Sequence, residues 1–213
     1  MSTSASAAPG IRRARAEERQ AIRQLLCDAF MDDPVSGWVF PDEAHRRTVQ
    51  PRFFGVFLDE ALGEGWVDVT EDLSAAALWL PIPAASTVEH GEGDSENDGD
   101  TDNMAERMAQ VDPGNERTGI IGRLTSEAHP QARAHYYLPA IVVAPGRQST
   151  GLGSALLTTA LGRCDREQAP AYLEASNARS KALYERLGFV FTGRTVDLPG
   201  GPPMWPMWRE PRP

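Results

Sequence analysis

The sequence contains little cysteine and no long apolar run. Its 213 residues include two cysteines, Cys27 and Cys164, too few for a disulfide framework or a four-thiolate zinc site. No segment approaches the roughly 18 apolar residues that a membrane-spanning helix needs. The first ten residues are small and polar and lack the basic and apolar regions of a signal peptide. We therefore expect a disordered tail over residues 1–10, a cytoplasmic location and no membrane partner.

The sequence also lacks an excess of positive charge. Lys and Arg number 21 against 30 Asp and Glu, a net charge of -9, which disfavours nucleic acid as a partner. Seven of the carboxylates lie between Glu89 and Asp102, and the rest of the chain is nearly neutral. This acidic segment has no large apolar residue to offset the entropy of ordering, so we predict a disordered loop over residues 86–103.

A calcium site in the acidic segment is not expected. Counted from Asp94, the twelfth residue is Ala105, where an EF-hand loop requires Glu. His129 and His135 have no Cys or carboxylate at metal-ligand spacing. No metal site is therefore predicted.

What the sequence does contain is an alternation of strand and helix signals. Strands are predicted at 11–14, 66–70, 75–80, 137–143, 171–175, 189–196 and 204–209. Helices are predicted at 17–30, 42–62, 115–129, 154–168 and 178–187, with Pro51 either kinking the second helix or beginning a new one. The strand and helix order of the second half predicts an α/β fold around one sheet, in a single domain over residues 11–213.

A glycine-rich loop joins the strand at 137–143 to the next helix, with the sequence VVAPGRQSTGLGS over residues 142–154. The first turn of a helix has unpaired N–H groups and a positive dipole end, and Gly151 and Gly153 leave these groups open to an anion. The loop has no Lys for a Walker A motif, and its glycines do not fit a dinucleotide fingerprint. The spacing Gln/Arg-x-x-Gly-x-Gly/Ala does fit residues 148–153, although plain turns before a helix share such short patterns.

A second motif, NARSKALYERLGF, follows at residues 177–189. Together the two motifs resemble the GNAT superfamily of acyl-CoA-dependent N-acyltransferases over residues 136–196. Within it, residues 173–176, the LYERLGF run and residues 199–205 resemble the group of puromycin N-acetyltransferases. The resemblance implies a mixed central sheet of six to seven strands flanked by helices, with two central parallel strands, 137–143 and 171–175, splayed to hold CoA. Pro139 fits such a bulged or separating strand because it cannot donate a ladder hydrogen bond.

The resemblance also implies how acetyl-CoA, as the acyl donor, would bind. Backbone groups of Ile141, Val142 and Val143 would pair with the pantetheine arm, and one N–H near Val142 would polarise the thioester carbonyl. The diphosphate would lie on the glycine-rich loop, whose candidate residues are Arg147, Gln148, Ser149, Thr150, Gly151, Leu152, Gly153 and Ser154. Ser149 and Thr150 replace the basic or glycine residues usual in the family, which leaves the N–H groups in place but is expected to weaken the affinity for phosphate. Asn177 either caps the next helix or contacts the pantetheine.

Two residues are the catalytic candidates. Tyr184 lies beside the apolar stripe of its helix, where its hydroxyl would act as a general acid toward the leaving thiolate; the alternative is a packed tyrosine. Glu174, at the end of a strand that lines the cleft, would be the general base with a pKa raised by burial. Tyr137, His135 or a chain of waters are alternative bases, and Glu174 could instead fix the cap of the next helix.

The resemblance implies transfer of acetyl from acetyl-CoA to a primary amine of a small molecule, by direct attack in a ternary complex. The alternatives are an enzyme of the same fold that acylates a protein or peptide amine, and a CoA-binding sensor without turnover. The acceptor pocket would come from residues 30–60 and the C-terminal segment, where apolar aromatic residues either form its wall or pack in the core. These aromatic residues are Phe30, Trp38, Phe40, Trp205 and Trp208. A monomer or a homodimer is expected.

Overall fold

The computed structural model describes residues 10–85 and 106–213. The expected disordered tail, apart from Gly10, and the expected disordered loop at 86–103 lie outside these residues. The strands are β1 (Ile11–Arg13), β2 (Trp66–Thr70), β3 (Ala75–Ile82), β4 (His135–Val143), β5 (Ala171–Ala175), β6 (Val190–Phe191), β7 (Val196–Asp197) and β8 (Pro203–Arg209). The helices are α1 (Arg19–Phe30), α2 (Pro34–Val39), α3 (Glu43–Gly63), α4 (106–111 in the described part), α5 (Glu116–Ala128), α6 (Leu152–Arg166) and α7 (Ala178–Arg186). A short 3-10 turn, Ala16–Glu18, precedes α1.

One mixed sheet connects the strands, in the order β1-β2-β3-β4-β5-β8-β6, with β7 paired to β8. Strands β4 and β5 run parallel, and the other neighbouring pairs are antiparallel. The sheet has eight strands because the segment predicted as one strand at 189–196 is divided into β6 and β7. Gly193 lies between them with a φ of +100°, which turns the chain out of the extended conformation. The predicted mixed sheet flanked by helices is confirmed.

Each face of the sheet has its own apolar core. Alternate residues of β3 point to opposite faces. Ala76, Leu78 and Leu80 belong to the core that contains α1 and α3, whereas Ala75, Ala77 and Trp79 belong to the core that contains α6. Both cores are closed by helices, so the sheet is buried between two helical layers.

Two helical regions differ from the sequence expectation. Helix α3 continues through Pro51, so the prediction that a new helix could begin there is wrong. Phe53 and Phe54 are buried against the α1 side of the core, and this burial offsets the one backbone hydrogen bond that proline removes. Helix α2 lies outside the predicted elements. Asp33 caps it by accepting hydrogen bonds from the N–H groups of Val35 and Ser36, with Pro34 at its first position.

Strands β4 and β5 separate soon after they begin. They pair only at Tyr136 with Ala171 and at Tyr137 with Tyr172. Next to this point the register between β3 and β4 shifts between Leu78 and Leu80, because Leu138 and Pro139 together oppose a single β3 residue. From there to Val143, the edge of β4 that faces β5 has no strand partner among the described residues. The predicted splayed pair of parallel strands is therefore confirmed.

No helix within 10–85 and 106–213 has both the length and the apolarity to cross a bilayer.

Candidate active site

A cavity of about 2650 Å³ opens where β4 and β5 separate. At one end it is lined by the glycine-rich loop and the first residues of α6 and α7. In the middle it is lined by β4 and the end of β5, and at the other end by the connection between α1 and α2 and by α3. The predicted site residues therefore lie around one space, although they come from distant parts of the chain.

The glycine-rich loop presents the start of α6 to this cavity. Gly151 is the N-cap residue in a left-handed conformation, with a φ of +89° and no side-chain cap. Within the loop, Gln148 Oε1 accepts a hydrogen bond of 3.0 Å from the N–H of Gly146. In the part of the chain that the structure describes, the N–H groups of Leu152 and Gly153 have no acceptor. This arrangement fits a diphosphate.

Two guanidinium groups flank the loop. Arg147 makes an ion pair of 3.4 Å with Asp72. Arg179, the second residue of α7, donates a hydrogen bond to Ser149 Oγ. Thr150 is turned into the loop, where its hydroxyl donates to the carbonyl of Arg147 at 2.6 Å, and it does not line the cavity. Every other predicted cofactor-binding residue does.

Tyr184 is held between the apolar core and the cavity. Its residue is 6% exposed, its ring meets Phe189 edge-on at 5.9 Å, and it is among the cavity residues. Burial, together with the nearby Asp33 carboxylate, raises the pKa of the phenol. The hydroxyl therefore stays protonated at neutral pH, which is the state that a general acid requires.

Glu174 has one free carboxylate oxygen. Its Oε2 accepts a hydrogen bond of 2.9 Å from the Tyr137 hydroxyl, whereas its Oε1 is buried with no hydrogen-bond partner among the described residues. Burial raises its pKa to about 7. A buried carboxylate that titrates near neutral pH and has an unpaired oxygen is suited to accept a proton.

The other candidate bases, Tyr137 and His135, are less well placed than Glu174 to accept a proton in the cavity. Tyr137 donates its proton to Glu174 rather than accepting one. His135 is 3% exposed and is separated from the cavity by His129, whose Nε2 lies 2.9 Å from Nε2 of His135. His129 does line the cavity, and burial lowers its pKa to about 4. Nor does Glu174 cap the next helix, because Asn177 does so.

A hydrogen-bond network ties the end of β5 to the start of α2. Ser176 Oγ donates to Asp33 Oδ2 at 2.7 Å and lies 3.3 Å from Asn177 Nδ2. Asn177 Oδ1 accepts from the N–H of Ser180 at 2.9 Å, so its predicted helix cap is present. Its contact with pantetheine stays a prediction. Asp33 and Ser176 are missing from the sequence-based candidates because 143 positions separate them; the only local signal is the Asp-Pro pair at the start of α2.

One part of the cavity wall is made of phenylalanine. Phe30 and Phe40, two of the five aromatic candidates, line the cavity together with Phe53, Phe54 and Phe57. The three tryptophan candidates do not. Trp38 donates to the carbonyl of Pro199, Trp208 lies outside next to Glu210, and Trp205 packs against the core on the α6 side.

Across residues 10–85 and 106–213, no three His, Cys, Asp or Glu side chains are grouped so that they could hold a metal ion.

Comparison with known proteins identifies one family. The model of the acetyltransferase (GNAT) family matches residues 66–189, which include β4, the glycine-rich loop, Glu174 and Tyr184.

Among curated proteins, the mycothiol acetyltransferase of Streptomyces coelicolor is 34% identical over 125 residues, which are 54% of this chain and 39% of that protein. The chain thus spans about two fifths of the length of this relative. An uncharacterised N-acetyltransferase of Schizosaccharomyces pombe is 23% identical over 84% of this chain and 74% of its own length.

Solved structures share the fold. A Corynebacterium glutamicum protein described as histone acetyltransferase HPA2 and related acetyltransferase superposes with a TM-score of 0.66 at 23% identity, over 97% of this chain and 98% of that chain. A polyamine N-acetyltransferase of Drosophila melanogaster, which catalyses the formation of N-acetylagmatine, has a TM-score of 0.59 at 16% identity, over 94% and 99%.

Proposed function

Since the chain belongs to the acetyltransferase (GNAT) family, we propose that it transfers the acetyl group of acetyl-CoA to a primary amine of a small molecule. One observation carries the proposal: a protonated phenol, Tyr184, and a carboxylate with a free oxygen, Glu174, line the same cavity, which ends at a loop suited to a diphosphate. A donor and an acceptor of protons in one cleft are what amide formation from a thioester and an amine requires.

Different parts of the chain bind different parts of acetyl-CoA. The N–H groups at the start of α6 hold the diphosphate, and the unpaired edge of β4 at 141–143 holds the pantetheine arm. An N–H group near Val142 donates to the thioester carbonyl as negative charge develops on its oxygen. Asn177 borders the same path.

Proton transfer is assigned to the two candidate catalytic residues. The Glu174 carboxylate takes a proton from the acceptor ammonium, because only the free amine is a nucleophile. As the new N–C bond forms and the C–S bond breaks, Tyr184 gives its proton to the leaving thiolate. The nitrogen loses its second proton as the amide forms, and this proton restores the Tyr184 phenol. Glu174 releases the first proton to solvent. The acetyl group passes directly from sulfur to nitrogen in a ternary complex.

Replacing Tyr184 by Phe tests the proposal. We expect kcat for thiol release to fall by about 100-fold or more, with the KM for acetyl-CoA nearly unchanged, because the phenol acts on the leaving group. Tyr136→Phe is the matched control: it removes a hydroxyl that bonds to Glu167 outside the cavity, and it should keep wild-type activity. Unchanged turnover by Tyr184→Phe would exclude Tyr184 from the mechanism.

The same assay distinguishes the two alternatives. Binding of CoA with no thiol release for any amine would support a sensor, and turnover of peptide amines alone would support a protein acyltransferase. The small-molecule class is favoured because Glu174 lines an internal cavity and its Oε1 is not exposed on the surface. The Drosophila polyamine N-acetyltransferase of the same fold also acts on a small amine.

A further inference from the structure

The part of the cavity between Glu174 and α3, which we call the acceptor half, has a lining that indicates which kind of amine it would bind. We infer that the acceptor is a primary amine on an aromatic or similarly flat apolar body that carries no carboxylate. The inference rests on the proposed function, since it describes the molecule that the reaction would acetylate. It depends on two separate features of the acceptor half, its wall and its charges.

The wall is a continuous cluster of five phenylalanine rings. Phe30 stacks on Phe54 with the ring centroids 4.4 Å apart. Phe53 meets Phe40, Phe54 and Phe57 edge-on at 5.3, 5.4 and 5.9 Å. Three of these rings are buried and support the other two from behind, because Phe30 and Phe57 are only partly buried.

Phe30 and Phe57 therefore offer ring surface to a ligand from fixed positions. Flat apolar groups gain most from such a wall, since aromatic rings interact through offset stacking and edge-to-face contacts in addition to burial. A small polar amine would leave these rings in contact with water. The wall thus favours an acceptor with an apolar body.

The charges of the acceptor half point to the second property. The Glu174 carboxyl, with its free Oε1, and Asp33 lie at the reacting end. Of the Arg and Lys residues lining the cavity in the described part of the chain, all but Arg123 lie on the glycine-rich loop or on α7. Arg123 is already paired with Glu127 at 3.0 Å.

A carboxylate next to the reacting amine would therefore meet the like charge of Glu174 and Asp33. Of the cations on the same cavity, Arg123 bonds to Glu127 and Arg186 bonds to the Ala182 carbonyl of its own helix. Like-charge contacts of this kind exclude ligands strongly. Amino acids are thus expected to be poor acceptors, whereas the matching amines without the carboxylate are accepted.

A second positive charge at the far end of the acceptor carries a cost that an apolar body does not. Glu60 and Glu64 line that end, and Glu60 already pairs with Arg107 at 3.1 Å. An extended polyamine would place its polar groups against the phenylalanine wall.

A panel of four amines, each tested with saturating acetyl-CoA, tests three properties of the acceptor separately: its aromatic body, its lack of a carboxylate and its lack of a distant cation. We expect kcat/KM for 2-phenylethylamine to exceed that for propylamine, which lacks the ring, by about tenfold or more. It should exceed the value for phenylalanine, which adds a carboxylate, by about 100-fold. It should also exceed the value for agmatine, which carries a distant cation.

The possible failures are distinguishable. If agmatine or phenylalanine is acetylated as well as 2-phenylethylamine or better, the inference about the amine is overturned and the proposed function stands. If acetyl-CoA binds but no amine, including peptide amines, releases thiol, the proposed function itself is overturned and the inference with it.

The Phe57→Ala variant tests whether the phenylalanine wall causes the preference for 2-phenylethylamine over propylamine. It should raise the KM for 2-phenylethylamine by about tenfold and leave kcat/KM for propylamine within about twofold. Phe191→Ala, which removes a ring on β6 outside the cavity, is the matched control and should preserve the ratio between the two amines. Phe57→Leu keeps an apolar side chain should Phe57→Ala fail to fold, and it should raise the same KM less. An equal loss for both amines would overturn the role of the wall.

Discussion

Burial raises the pKa of Glu174 into the range that its proposed role as a general base needs, and it also makes the charged residue costly for folding. Its pKa of about 7 means that the carboxylate loses its charge as pH falls through neutrality. Wild-type kcat should therefore drop about tenfold per pH unit well below pH 7. Glu174→Gln should lower kcat at pH 8 by about 100-fold and remove this acid limb. Glu167→Gln, a change at an exposed carboxylate, is the control, and the pH–rate profile is the measurement.

Stability gives an independent readout at the same residue. Because the pKa of Glu174 in the folded protein lies above its ordinary value of 4.5, the native carboxyl binds more protons than the unfolded one between about pH 4.5 and 7. Its contribution to stability therefore falls as pH rises through that window. Glu174→Gln should be more stable than wild type at pH 8, by up to about 3 kcal/mol, with no gain near pH 4. Urea unfolding measures this difference. A variant that is both inactive and less stable at pH 8 would indicate a structural role.

At the level of elements, α7 adds a second guanidinium, Arg179, to the one that Arg147 supplies on the glycine-rich loop. Ser149 and Thr150 stand where the family has basic or glycine residues, and Ser149 accepts a hydrogen bond from Arg179. Arg179→Ala should therefore weaken CoA binding by about tenfold in calorimetry and reduce its dependence on salt. Arg194→Ala, a change at an exposed arginine outside the cavity, is the control. An unchanged Kd for Arg179→Ala would show that Arg179 does not contribute to CoA binding and only positions Ser149.

Elements with strong local signals are predictable from the sequence, whereas tertiary contacts are not. The apolar run at residues 75–80, which forms most of β3, and Gly188, which follows α7, are readable because apolar patterning and capping are local properties. The six-residue α2 and the break at Gly193 are not, since neither produces a full helical or strand period. In the site, the sequence motifs are sufficient to name Tyr184 and Glu174 as candidates. The phenylalanine wall cannot be predicted in this way, because it forms only when α1 and α3 pack together.

At the scale of the whole molecule, the two cores explain how a sheet can hold an open cleft at its centre. Strands β4 and β5 stop pairing after two residue pairs, yet the outer part of each half of the sheet stays paired, β4 to β3 and β5 to β8. Helices cover both faces. The unpaired edge of β4 can therefore serve a ligand while the remaining ladder maintains the fold.

The burial of both thiols predicts that the acetyl group passes directly between the two substrates in a ternary complex, without a cysteine carrier. Cys27 and Cys164, both cysteines of the chain, are buried outside the cavity, and burial raises the pKa of Cys27 to about 11 and that of Cys164 to about 12. Neither thiol is a suitable acyl carrier, because the thiolate is the nucleophile. Initial rates with acetyl-CoA and amine both varied should give intersecting rather than parallel double-reciprocal lines. Cys27→Ala and Cys164→Ala should each keep kcat within about twofold at a temperature where the variant stays folded. Parallel lines, together with acetyl trapped on either cysteine, would contradict direct transfer.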